Sequence, residues 1–180
     1  IVNQGTNVIP PYTSLIYDVH LMEHIGDVEV YEQERITTYM DTVPVSKVTE
    51  IVDEETQSTM YYIQDVIGTG DSIKNDDVVG VVYTGSLFDE RVFDTNVGGD
   101  TLNISVGGGE VIRGLNIGLT YFIDEGKGRL VIPHPLAYGE PGRTNNYGKT
   151  TIPPYETLVL TMEVYKSSSD DGDDGGVDIQ

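Results

Sequence analysis

The chain has 180 residues, 38% of them apolar, with 21 glycines and 8 prolines; that is enough for one solid core plus extras, and it fits a turn-rich, β-rich protein. Thirty acids against ten bases leave a net charge of −20, which argues against nucleic acid or anionic lipid as the main partner. No run nears the roughly 18 apolar residues of a membrane-crossing helix, and the lack of cysteine excludes a disulfide framework and a thiol mechanism.

The first residue is Ile1 rather than Met, and no signal segment is visible. The chain therefore reads as a processed or trimmed form, in which any export signal or lipid-bearing cysteine would already be gone. Residues 9–22 begin Ile-Pro-Pro-Tyr and then alternate in polarity; residues 152–165 do the same, in gapless register with them. Both copies suit a strand.

Residues 27–43 are expected to be helical. Val28, Tyr31, Ile36, Tyr39, Met40 and Val43 fall near a 3.6-residue period, Asp27 can cap the start, and Pro44 stops the run. This segment reads as a packed linker helix. Residues 44–57 are polar and read as a connector. From Thr59 the pattern turns to strand: Met60–Ile67, Val78–Tyr83, Val92–Phe93, Leu102–Val106, Arg129–Ile132 and Leu158–Tyr165 are rich in β-branched and aromatic residues. Glu110–Leu119 is expected to be the one helix among them. A short helix against an antiparallel sheet is an α+β design. The last residues, 167–180, are Ser, Asp and Gly-rich and cannot bury a core.

Gly107-Gly108-Gly109 leads into Glu110-Val111-Ile112-Arg113-Gly114-Leu115. Val111 and Ile112 are poor residues for a solvent-facing helix start, where side-chain caps are preferred. Apolar side chains beside unpaired N–H groups point to the floor of a small pocket. The glycine run lacks the Lys and Ser/Thr of a phosphate loop, and the Asp-Gly tail lacks the spacing of a calcium loop. His20, His24 and His134 do not cluster, and His134, between two prolines, reads as a loop histidine.

Five motifs stand in order: Val82-Tyr83-Thr84-Gly85, Val92-Phe93-Asp94, Gly109-Glu110-Val111-Ile112-Arg113-Gly114, Ala137-Tyr138-Gly139 and Ile152-Pro153-Pro154. Together they resemble the FKBP-type peptidyl-prolyl cis–trans isomerases over about Thr59–Lys166. The resemblance implies an antiparallel sheet wrapped around one short helix, here over residues 58–166. The linker would span 26–57. In this family Ile-Pro-Pro leads into the last strand, so residues 1–25 would be the end of an upstream domain of the same type. Its strand edge would pair with the main sheet or support self-association.

The implied activity is isomerisation of Xaa–Pro bonds in folding polypeptides, without cofactor, metal or covalent nucleophile. Tyr83 and Phe93 would wall the pocket, and Asp94 would be its polar rim. Val111 and Ile112 would edge the floor, with the Ile112 N–H as donor to a bound carbonyl. Tyr138 would offer its hydroxyl to the substrate backbone, and Ile152 would close the far side. Leu102, Leu115 and Leu160 stand where the family often carries aromatics, Leu115 in place of a floor tryptophan. Weakened macrolide-inhibitor binding is expected. The loop 140–151 is longer than in compact members and is expected to overhang the pocket. The resemblance also implies an exported bacterial protein, periplasmic or an outer-membrane lipoprotein. A non-catalytic chaperone or docking subunit built on the same fold is the alternative.

Overall fold

The computed structural model describes residues 14 and 26–166, so the strand expected within 1–25 and the tail expected at 167–180 lie outside the described residues. Helix α1 (Val28–Met40) begins where expected: the Asp27 carboxylate accepts hydrogen bonds from the Glu29 and Val30 N–H groups at 3.0 and 3.1 Å. A side-chain acceptor here satisfies donors that the helix itself cannot. Neither helix among the described residues is long and apolar enough to cross a membrane.

The chain then lays down β1 (Val48–Val52), β2 (Thr59–Val66), β3 (Val78–Ser86), β4 (Val92–Thr95) and β5 (Leu102–Ser105). Helix α2 (Arg113–Leu119) and β6 (Gly126–Ile132) follow. A small hairpin, β7 (Arg143–Thr144) with β8 (Thr150–Ile152), precedes the last strand, β9 (Leu158–Lys166). The main sheet is antiparallel throughout, in the order β1-β2-β6-β9-β3-β4, with β5 on a separate stretch of β3. It is α+β, as the order of expected strands and helix implies.

Several boundaries differ from the sequence reading: α1 ends at Met40 rather than at residue 43, and β6 starts at Gly126 rather than Arg129. The stretch 44–57 is not a plain connector, because β1 inside it pairs with β2 from Val48↔Ile63 to Val52↔Thr59. As an edge strand it exposes Thr49, Glu50 and Val52 and buries only Ile51, so its alternation is too faint to read. Helix α2 also starts three residues later than expected. Gly109 has φ +75° and Ile112 is extended, so Glu110–Ile112 form the approach to the helix rather than its first turn.

The sheet has two buried faces, and the two-residue period of the strands assigns them. On one face Met60, Tyr62, Leu130, Ile132, Leu158, Leu160 and Met162 join the main core beneath α2. On the other, Ile63 and Val131 pack with Ile36 and Val43 from the α1 segment, flanked by Tyr39, Met40 and Tyr61. Helix α2 comes very close to β6 because its contact face is glycine. A Cβ on Gly114 would sit 2.3 Å from Ile132 Cγ2, and one on Gly118 would sit 2.3 Å from Leu130 Cδ1. The four-residue spacing puts both glycines on one helix face.

Helix α1 is fastened as well as packed. Its buried Glu32 accepts a hydrogen bond from the His134 backbone N–H at 2.8 Å, and its second oxygen lies 2.8 Å from His134 Nδ1. The Thr157 hydroxyl donates to the same carboxylate. Arg35 adds an ion pair to Glu156 at 2.8 Å. His134 is therefore more than the loop residue expected from its flanking prolines.

Candidate functional site

The site begins where β3 meets β4. Gly85 pairs with Asp94, and the Phe93 ring lies across the glycine. A Cβ on Gly85 would be 2.5 Å from Phe93 Cζ, which is why the Tyr-Thr-Gly motif ends in glycine. The Tyr83 hydroxyl donates to Asp94 Oδ2 at 2.9 Å. Burial, and then that bond to a carboxylate, push the Tyr83 hydroxyl up to about 12, so it stays an uncharged donor throughout the physiological range.

Asn96, which the sequence reading passed over, holds this corner together. Its Oδ1 accepts from the Tyr83 N–H at 2.7 Å and its Nδ2 donates to the Val81 carbonyl at 2.8 Å. A side-chain amide replaces ladder bonds at the point where the strands diverge. A lone Asn in a turn-like stretch carries no sequence signal for that role.

Opposite lie Val111 and Ile112. Gly107 and Gly109 take positive φ, which favours glycine, and Asn116 Oδ1 accepts from the Gly107 N–H at 3.2 Å. Ile112 stands at the N-cap position with no side-chain cap, and its own N–H has no acceptor among the described residues. Arg113 anchors the segment from behind. It bonds the buried Asp53 through Nε and Nη2 at 3.0 and 2.7 Å.

The third wall comes from Ala137–Tyr138–Gly139. Gly139, at φ +61°, donates its N–H to the His134 carbonyl and accepts from the Tyr155 N–H, each at 2.9 Å. Tyr138 is thus held by the same loop that Glu32 grips. Gly142 lets the β7–β8 hairpin start hard against Ile152–Pro153, where a Cβ would meet the Ile152 carbonyl at 2.4 Å.

These walls enclose a cavity of about 350 Å³. Tyr83, Phe93, Asp94, Leu102, Tyr138 and the pair Val111–Ile112 line it, as expected. Leu115 and Leu160 are also among its lining residues. Ile152 is the exception. It is 0% exposed and packs in the same core cluster as Leu158 and Leu160, but unlike them it is not among the residues lining the hollow. On this strand Thr151 lines the neighbouring groove and Ile152 is buried. Three lining residues were missed, Glu110, Arg143 and Leu158. Leu158 had a signal, since it lies two residues before Leu160 on the same strand face. Arg143 had none, because the hairpin that delivers it looked like a loop.

The arrangement is an apolar hollow with a few fixed polar groups at its edge. It can take an apolar ring and offer a backbone N–H, a tyrosine hydroxyl and a carboxylate around it. The model of the FKBP-type peptidyl-prolyl cis-trans isomerases matches residues 70–165, which carry every lining residue of the hollow. Among curated proteins, "FK506-binding protein 4" of Rhizopus delemar is 37% identical over 102 residues, 56% of this chain and 27% of that protein. A "Probable FKBP-type peptidyl-prolyl cis-trans isomerase" of Haemophilus influenzae is 38% identical over 110 residues, 61% of this chain and 43% of that protein. The chain thus spans less than half the length of these relatives, which come from a fungus and a bacterium. Among solved structures, FkpA from Escherichia coli superposes with a TM-score of 0.59 at 31% identity, covering 76% of this chain and 57% of that one. With the fold, the hollow and the matched segment in agreement, the chain belongs to the FKBP-type peptidyl-prolyl cis–trans isomerase family.

Proposed function

We propose that this protein catalyses cis–trans isomerisation of Xaa–Pro bonds in polypeptide clients, in the hollow between Tyr83, Phe93, Ile112 and Tyr138. The observation that carries the reading is the Tyr83–Asp94 bond at 2.9 Å beside the Phe93 ring, in a hollow also lined by Ile112, whose N–H has no acceptor among the described residues. The barrier to amide rotation is about 18–20 kcal/mol because the C–N bond is conjugated. A catalyst lowers it by binding the twisted amide better than the planar one. The twisted amide is less dipolar, so an apolar hollow costs it less than it costs the planar form. The Ile112 N–H would hold a neighbouring client carbonyl, and Tyr138 would hold the client backbone. Asp94 would act by its charge at the rim. No bond is made or broken.

The test is a protease-free assay of peptide isomerisation by exchange NMR, with wild type beside Asp94→Val. We expect acceleration by wild type and a fall in kcat/KM of about tenfold or more in the variant, equivalent to about 1.4 kcal/mol of transition-state stabilisation. No acceleration by wild type would overturn the reading. It would favour the second one, a client-binding or docking module on the same scaffold. The observation behind that alternative is the aliphatic floor, where Leu102, Leu115 and Leu160 offer no ring face to a proline.

We further infer an exported location, periplasmic or lipid-anchored at a bacterial outer membrane. Its support is the resemblance to helix-prefixed members of bacterial envelopes, together with the likeness to bacterial relatives. Fractionation of the native cells tests it, and recovery with the cytosol would overturn it.

A further inference from the structure

Beside the hollow lies a second groove of about 400 Å³, on the far side of Phe93 and Asp94. The β7–β8 hairpin supplies its other wall through Arg143, Asn146 and Thr151. Arg143 borders both spaces. Its guanidinium lies 5.7 Å from the centre of the Tyr138 ring, and Nη1 is 4.0 Å from Asp94 Oδ2.

That ion pair is loose. Arg35, Arg113 and Arg129 hold carboxylates at 2.7–3.0 Å. Asp94 Oδ2 already accepts the Tyr83 hydroxyl. The Arg143 side chain is 47% exposed and donates no hydrogen bond among the described residues. A guanidinium carries five N–H donors in a fork that matches a carboxylate. Here the fork sits at a pocket mouth in a chain of net charge −20. Hydroxyl and amide side chains beside it can accept or donate further bonds to a bound chain.

We propose that this groove is a client subsite next to the proline pocket, and that Arg143 makes it select a Glu or Asp side chain on a residue flanking the proline. The inference rests on the isomerase reading above. Arg143 would turn its guanidinium the short distance from Asp94 to the client carboxylate, beside the Tyr138 ring. A client lysine in the same place would meet Arg143 as a like charge.

The experiment measures kcat/KM by exchange NMR on the full chain. It uses Leu-Pro-Phe peptides in which Glu or Lys replaces the residue on either side of the proline. At low salt we expect a Glu-to-Lys ratio of about five at one flank, the effect of one partly exposed ion pair. The ratio falls to about one in Arg143→Gln and inverts in Arg143→Glu. It also falls toward one in about 1 M salt, where the screening length is about 3 Å. Lys149→Gln removes a charge from the same hairpin without touching the groove, and it should leave the ratio in place. A ratio near one at both flanks in wild type would overturn the proposal. So would a ratio unmoved by Arg143→Gln, or one moved equally by Lys149→Gln, which would assign it to the overall field. If wild type accelerates no peptide, the isomerase reading fails and this inference fails with it. Turnover without charge selection would sink this inference alone.

Discussion

Glu32 on α1 accepts the His134 backbone N–H at 2.8 Å, across 102 positions of sequence. The bond joins the helix before the domain to the loop that carries Tyr138. It also explains how a helix interior can bury a carboxylate, because His134 and Thr157 between them satisfy it. Buried polar groups cost little only when paired.

Removing this carboxylate should therefore be felt at a distance. Glu32→Ala leaves the His134 N–H and the Thr157 hydroxyl without their acceptor, at a cost of about 1–3 kcal/mol. Urea unfolding would measure it. Glu32→Gln keeps an acceptor and should cost less. Equal stability of Glu32→Ala and wild type would mean that the helix is held by Ile36 and its neighbours alone.

Asp53 gives a pH dependence of known sign. The bond from Arg113, first, and those from Thr56 hold its carboxyl down at about 2, against an opposing effect of burial. A depressed carboxylate stabilises the fold fully above its unfolded value, near 4, and that contribution fades as pH falls from about 4 through 2. The stability gap between wild type and Asp53→Asn should thus be widest above about pH 5 and shrink toward pH 2. Urea midpoints from pH 2 to 6 would show it. A gap constant over that range would disprove the linkage.

Gly118→Ala tests the close approach of α2 to β6. In a solvated helix this change gains about 1 kcal/mol from propensity. Here the new methyl would meet a Leu130 side chain that is itself 0% exposed. Overpacking of that kind costs about 1–3 kcal/mol. We expect net destabilisation, and a double mutant with Leu130→Ala that is less damaged than the sum of the single changes. Strict additivity in this cycle would show that the helix simply shifts.

Leu115→Trp should restore a ring face to the hollow. An aromatic contact adds about 0.5–1.5 kcal/mol beyond buried area, or about twofold to tenfold in affinity for a proline-containing peptide. Since the chain has no tryptophan, calorimetry would compare both proteins while the new indole reports binding by fluorescence. Unchanged or weaker binding would show that the leucine floor is not what limits peptide affinity.

Much of this protein is written locally in its sequence. The Asp27 cap, the alternating strands and the glycine-bounded motifs all depend on residues near one another in the chain, and their short-range geometry is legible without a fold. The resemblance carried by those motifs in their order implied Tyr83, Phe93, Asp94, Val111, Ile112 and Tyr138 as neighbours, and all six line the hollow. Other features exist only because distant segments meet. Ile152 is buried in the core while its strand neighbour Thr151 lines the adjoining groove. Strand β1 is an edge strand whose exposed side chains mask its period. The Glu32–His134 and Asp53–Arg113 pairs bridge 102 and 60 positions, and a charged residue on a helix or in a turn looks solvated until its partner is placed. Arg143 reaches the pocket only through a hairpin whose turn is built by the Asn145 side chain. Hydrophobic period and turn chemistry act over a few residues, whereas the satisfaction of buried charge is decided by packing.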